Sequence, residues 1–206
     1  MLSACTRCDI ELALLMDASS STEWQNFLNM LRSLVGNFNI GQACVRTAAI
    51  RYSDNAQVAF GLTSHSNLAS LQQAIQSLAV LGGNSNLLSA LQTLRTQVFT
   101  NSIVRTRAWL VAGIITDRLT CSSQLITEAN NLKKLGVILL GIGFTSSGRV
   151  DKNCFSQIVT ANQWIDVTVS SQYSNHVSTA AAAVCPPDYW SKSSFIALSN
   201  QCTQYN

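Results

Sequence analysis

Two kinds of hydrophobic pattern alternate along the chain. Continuous apolar runs cover residues 10–16, broken only by Glu11, and residues 108–115, while residues 136–142 carry no charge. Runs of this length predict strands buried on both faces, as in a parallel sheet covered by helices. Between them, apolar residues recur at helical spacing. Trp24, Phe27, Leu28, Leu31, Leu34 and Val35 share one face of a helix predicted to begin near Thr22. Leu68, Leu71, Ile75 and Leu78 mark a second helix, and Leu87, Leu91, Leu94 and Val98 a third. Leu125, Ala129 and Leu132 mark a fourth, which stops at Gly136 as a helix end should. Residues 45–52 and 57–60, joined by Ser53-Asp54-Asn55, predict a hairpin. A strand over 164–169 and an Ala-rich helix over 174–184 complete the series.

The order is strand, helix, hairpin, helices, then strand and helix in alternation. It predicts an α/β fold: a doubly wound, mostly parallel sheet with one antiparallel edge strand and helices on both faces. The expected organisation is a short extension over residues 1–7, one domain over 8–185, and an appendage over 186–206. The appendage begins at Pro186-Pro187, is rich in Ser, Asn and Gln, and is expected to be pinned by Cys202.

Composition narrows the function. Only 11% of the 206 residues are charged, against about a quarter in an average globular domain. Ser, Thr, Asn and Gln supply the polar surface, which suits crowded or assembled surroundings. The net charge of +3 is small and scattered, which argues against nucleic-acid binding. Lys133-Lys134 is the longest basic run and reads as a solvated helix end. No apolar run approaches the roughly 18 residues of a membrane span, and Met1-Leu-Ser-Ala-Cys5 lacks the pattern of a signal peptide. The chain is therefore expected to be either a mature secreted form or an intracellular protein. Seven cysteines, Cys5, Cys8, Cys44, Cys121, Cys154, Cys185 and Cys202, favour secretion. They are dispersed without metal-site spacing beyond a single C-x-x-C, and so read as structural disulfides of an oxidising compartment. The odd count leaves one thiol buried and unbridged, or joined to another chain. No Asn-x-Ser/Thr sequon adds independent support for secretion.

Three segments carry candidate chemistry: Asp17-Ala-Ser19-Ser-Ser21, Gly83-Asn-Ser85-Asn and Ile115-Thr-Asp117. In an open parallel sheet, ligands collect beyond the carboxyl ends of the strands. Asp17 and Asp117 each close or follow an apolar run, so both are expected on that edge. Ser19 and Ser21 sit at alternate positions in the turn that follows Asp17, and Ser85 follows a Gly82-Gly83 turn. Three hydroxyls and two carboxylates are hard oxygen ligands, suited to one Mg2+ or Ca2+ ion. The absence of His and Cys from the group argues against zinc or copper. Such a set leaves a position for a carboxylate from outside. Taken singly, each segment is equally a helix cap or turn.

These residues resemble the von Willebrand factor type A family over about residues 8–184. Asp17-x-Ser19-x-Ser21 matches the family's D-x-S-x-S motif. Residues 45–54 resemble its second strand and turn, and Gly82-Gly-Asn-Ser85-Asn is similar to its G-G-x-T-N segment. Ile115-Thr-Asp117 matches its strand-end aspartate, and Lys133-Lys-Leu-Gly-Val with Gly141-Ile-Gly143 resembles its fifth helix and strand. The resemblance implies a metal-ion-dependent adhesion site, with Ser19, Ser21 and Ser85 as hydroxyl ligands and Asp17 and Asp117 acting directly or through water. Two positions depart from the pattern. Ser85 replaces the usual Thr, which frees its rotamer. Arg118 replaces the usual Gly, which sets a cation where it either weakens the metal or holds an acidic partner. In the same frame, Cys8–Cys185 resembles a terminal ring closure, Cys121 and Cys154 tie two loops at the metal-bearing edge, and one pair forms among Cys5, Cys44 and Cys202.

The resemblance implies a secreted, extracellular matrix-binding module that captures an acidic group of a matrix protein, collagen being one such partner. The competing expectation is a self-assembling structural component whose contacts do not depend on metal, as a homo-oligomer or through an intermolecular disulfide. A complex-assembly role inside the cell is a third expectation. His65 and His176 are expected in loops or at the surface, and no G-x-S-x-G, P-loop or H-E-x-x-H is present, so catalysis is not expected.

Overall fold

All eight residues of β1 (Ile10–Asp17) are buried, because β1 lies in the middle of a six-stranded sheet. The computed structural model describes residues 9–19, 24–100, 102–145, 148–160, 163–168 and 173–184. In it, β2 (Val45–Tyr52), β3 (Ala56–Phe60), β4 (Trp109–Thr116), β5 (Ile138–Phe144) and β6 (Trp164–Val167) give the order β3-β2-β1-β4-β5-β6. Only the β2–β3 pair is antiparallel. The two neighbours of β1 hold Ile10 opposite Val45 on one side and Trp109 on the other. Both faces of β1 are therefore covered, and a continuous apolar run is what such a strand requires.

Alternation along β1 feeds two cores. Leu12, Leu14 and Met16 pack with α1 (Trp24–Val35), α2 (Leu68–Gln76) and α6 (Tyr173–Val184). Ala13 and Leu15 pack on the other face with α3 (Leu87–Thr93), α4 (Ser123–Lys134) and α5 (Lys152–Ile158). The expected third helix changes pitch part-way. After α3 the chain makes a π-helical turn over Leu94–Val98, closed by the Phe99 amide on the Leu94 carbonyl at 2.8 Å. The wider turn shifts the helical phase, so that Leu94, Val98 and Phe99 all reach the core.

Polar side chains cap the helices where the sequence turns polar. Asn67, Asn86, Ser122 and Asp151 each accept from a backbone amide three residues on. Helix α4 ends where Gly136 takes φ 81°, and its stop is tied by the Val137 amide on the Leu132 carbonyl. His65 stands edge-on to Phe60 with ring centroids 4.8 Å apart, and both histidines are half-buried.

Glu11, the polar interruption in the first run, is fully buried. It lies at the end of the sheet opposite Asp17 and is held by two arginines. Arg46 donates from Nε at 2.8 Å and from Nη2 at 2.5 Å. Arg105 donates from Nε at 2.9 Å and from its backbone amide at 3.0 Å. Arg105 also reaches the Ile10 and Cys44 carbonyls, so it fastens the segment before β4 to the starts of β1 and β2.

A hydroxyl cradle at the carboxyl ends of β1 and β4

Met16 pairs with Ile115 in the sheet, so the residues that follow, Asp17 and Thr116-Asp117, emerge side by side at one edge. The Asp17 carboxylate is buried and serves as the hub. Its Oδ1 accepts from the Ser19 amide at 3.1 Å and the Ser19 hydroxyl at 2.6 Å. Its Oδ2 accepts from the Ser85 and Thr116 hydroxyls, each at 2.7 Å. Of the five expected ligands, the structure thus brings Ser19 and Ser85 onto Asp17 and sets Asp117 beside them. Ser21 lies outside the described residues.

Ser85 gets there because its loop is sewn to two neighbours. The Ala18 carbonyl accepts the amides of Leu81 and Gly82 at 2.9 and 3.0 Å. On the far side, Asp54 in the β2–β3 turn accepts from the Asn84 amide at 3.2 Å and side chain at 2.8 Å. Gly83 sits between these anchors at φ 89°, and a Cβ there would lie 2.3 Å from Asp54 Oδ2. Glycine is therefore required at 83 by both backbone and space.

Thr116 was not among the expected ligands, although it stands inside the Ile115-Thr-Asp117 segment. Its hydroxyl also lies 2.6 Å from the Arg118 carbonyl and accepts from the Arg118 amide at 3.0 Å. It locks the turn that carries Asp117. Tyr52, paired with Asp17 in the sheet, underlies the site. Its hydroxyl is fully buried beside the Thr116 and Ser85 hydroxyls, in a geometry too poor for a regular hydrogen bond. Burial pushes the phenol well above its ordinary value of 10.0, and the Asp17 charge adds to the effect.

Asp117 is nearly as buried as Asp17, and its Oδ2 accepts from Arg149 Nη2 in an ion pair. Burial raises the Asp117 carboxyl above the usual carboxylate range. The Arg149 charge opposes this, the Asp17 charge adds to it, and Arg118 opposes it. Arg149 comes from the segment after β5, which is joined to the segment after β4 at several points. The Leu119 amide donates to the Arg149 carbonyl at 2.9 Å and the Asp151 amide to the Leu119 carbonyl at 3.0 Å, within a Leu119–Val150 bridge. The expected Cys121–Cys154 disulfide closes the same pair of segments, with Cα atoms 5.3 Å apart. Cys44 is also disulfide-bonded, whereas Cys5, Cys8, Cys185 and Cys202 lie outside the described residues.

The donor set fits a hard divalent cation. Asp17 is a buried charge held by hydroxyls and an amide, with no ion pair to a cationic side chain among the described residues. Burying a charge that way is costly unless a cation compensates it. No group of three or more His, Cys, Asp or Glu occurs among the described residues, which leaves hydroxyl oxygen as the main neutral donor. Beside the hub, a groove of about 130 Å³ runs between Ser85, Asn86, Arg118, Thr120 and Ser122.

Comparison with known proteins agrees with this architecture. Residues 11–181 match the family model described as von Willebrand factor type A domain. The human collagen alpha-6(VI) chain is 36% identical over 86 residues, which is 40% of this chain and 4% of that one. The mouse collagen alpha-5(VI) chain is 26% identical over 171 residues, or 80% and 6%. The collagen alpha-1(XII) chain of Notophthalmus viridescens is 26% identical over 163 residues, or 77% and 17%. Among solved structures, proximal thread matrix protein 1 from the mussel byssus, with a zinc-occupied MIDAS motif, superposes with a TM-score of 0.79 at 22% identity. That match covers 89% of this chain and 47% of the byssus protein. The chain thus spans a small part of these collagens and about half of the byssus protein.

Proposed function

As the chain belongs to the von Willebrand factor type A domain family and its relatives include several collagen chains, we propose that it is a secreted matrix adhesion module that captures an acidic group through a divalent cation. The observation that carries this reading is the convergence of the Ser19, Ser85 and Thr116 hydroxyls on the buried Asp17 carboxylate. Asp17, Ser19, Ser21 and Ser85 would hold the ion, with Asp117 completing the charge. Hard oxygen donors favour Mg2+ or Ca2+. When bound, such an ion supplies an open coordination position for a carboxylate oxygen.

The chain's own residues do the rest. Asp17 orients two hydroxyl oxygens, Thr116 fixes the turn bearing Asp117, and Asp54 holds the Ser85 loop in place. Arg118 lines the adjoining groove and offers a second positive charge to an acidic partner. The proposed role is binding rather than turnover: the hydroxyls among the described residues of the site are engaged with the Asp17 carboxylate that the cation would use. Collagen is the proposed partner. The test is binding of the chain to immobilised fibrillar collagen in Mg2+, in Ca2+ and in EDTA, with Asp17→Ala as control. Binding that persists unchanged in EDTA and in the variant would overturn the reading.

A second reading, metal-independent self-assembly, is favoured by the exposed outer edge of the sheet. Strand β3 lies at the end of the sheet order with Gln57 and Val58 exposed, and edge strands are ready templates for pairing with another chain. Concentration-dependent oligomers that survive EDTA would support it.

A further inference from the structure

Arg149 is ion-paired to Oδ2 of Asp117, the carboxylate whose charge the proposed cation would share. We propose that Arg149 is a built-in counter-ion that competes with the divalent cation for Asp117, so that loading the site swings the Arg149 guanidinium off Asp117 and out towards the partner-facing surface. This rests on the reading of Asp17, Ser19 and Ser85 as a cation site.

The two charges differ in burial. The Asp117 side chain is 4% exposed and the Arg149 side chain 42%, so the anion sits at the bottom of the site and the cation at its mouth. A guanidinium in that position already neutralises Asp117 and repels a second cation at short range. The backbone of Arg149 is not free to follow its side chain. It is held by the Leu119 amide, by the Leu119–Val150 bridge and, beyond them, by the Cys121–Cys154 disulfide. Exchange is therefore by side-chain rotation, with the segment fixed. Leu119 belongs to the same turn as Asp117, so Arg149 stays poised beside the carboxylate after release. There it stands with Arg118 as a second cation near Asp117, and an acidic partner would meet both.

Calorimetric titration with Mg2+, and with Mn2+ as a tighter-binding probe, tests this on the intact chain. The set is wild type, Arg149→Gln, Arg149→Lys and Asp17→Ala, each checked for folding by circular dichroism and thermal unfolding. Removing the charge in Arg149→Gln is expected to tighten cation binding about tenfold, while Arg149→Lys stays near wild type because it keeps the charge. A purely structural role for Arg149 predicts no such gain. Detectable binding in Arg149→Gln alone, absent in wild type, supports the proposal as well. Equal affinity in wild type and Arg149→Gln, with binding lost in Asp17→Ala, overturns the Arg149 role and leaves the cation site standing. No binding in any variant overturns both.

Discussion

The Thr116 hydroxyl lies 2.7 Å from Asp17 Oδ2 and 2.6 Å from the Arg118 carbonyl, yet it has one proton to donate. It accepts the Arg118 amide at the same time. Thr116 thereby couples the hub carboxylate at the end of β1 to the turn after β4. Thr116→Val keeps the shape and loses both roles. It is expected to cost about 1.5–3 kcal/mol, the range for a hydrogen bond to a charged group. Thermal unfolding should show a drop of several degrees, and calorimetry weaker cation binding, with Thr116→Ser restoring most of each. A variant as stable as wild type would remove Thr116 from the site.

Glu11→Ala addresses the other end of the sheet. It leaves Arg46, itself nearly buried, without its carboxylate, and breaking a buried ion pair in this way costs about 3–5 kcal/mol. Urea unfolding should report that loss. Cation affinity in the folded fraction should not change, because Glu11 is separated from Asp17 by the length of β1. A simultaneous loss of cation binding would mean that the two ends are coupled.

Replacing both Cys121 and Cys154 by Ser opens a cross-link spanning 33 residues. Loop-closure entropy puts the loss at about 3–4 kcal/mol. Native-state hydrogen exchange should rise at Leu119 and Asp151, whose amides bond across the two segments, before it rises in β1.

Tyr52 gives an alkaline signature. Its pKa in the folded state is raised, chiefly by burial. Its contribution to stability is therefore fully present below the unfolded value of about 10 and is lost as pH rises through the folded one. Absorbance near 295 nm, compared with Tyr52→Phe, should assign to Tyr52 the last tyrosine to ionise, concurrent with unfolding. Tyr52→Phe should lose less stability between neutral and strongly alkaline pH than wild type does.

The sheet was legible in the sequence because its central strands are buried on both faces. Ile10–Asp17 and Trp109–Thr116 leave short continuous apolar runs, too short for a typical buried helix and rich in branched residues, as such strands require. The grouping of Asp17, Ser19 and Asp117 at one edge was legible because the turns after β1 and β4 carry them locally, and Ser85 was marked by the Gly82-Gly83 turn before α3. What escaped is what depends on distant partners. Glu11 looks like a break in a strand until Arg46 and Arg105 arrive from 35 and 94 residues away. Arg149 is a lone cation in a turn, 32 residues from Asp117, and no spacing rule connects the two. Tyr52 ends an ordinary β-strand pattern, and only the pairing of β1 with β2 puts it under Asp17.

The two rims of the site are fastened by different chemistry. One rim, from Asp117 to Cys121, is tied to its neighbour by a covalent bond, a backbone bridge and an ion pair. The other, from Leu81 to Asn86, hangs on backbone bonds to Ala18 and Ser53 and on the side chains of Asp54 and Asn86. Under tension the mouth is thus stiff on one side and compliant on the other. In the proposed binding role, a ligand of imperfect fit would be met by yielding of the Ser85 rim, while the Asp117 rim would bear the load.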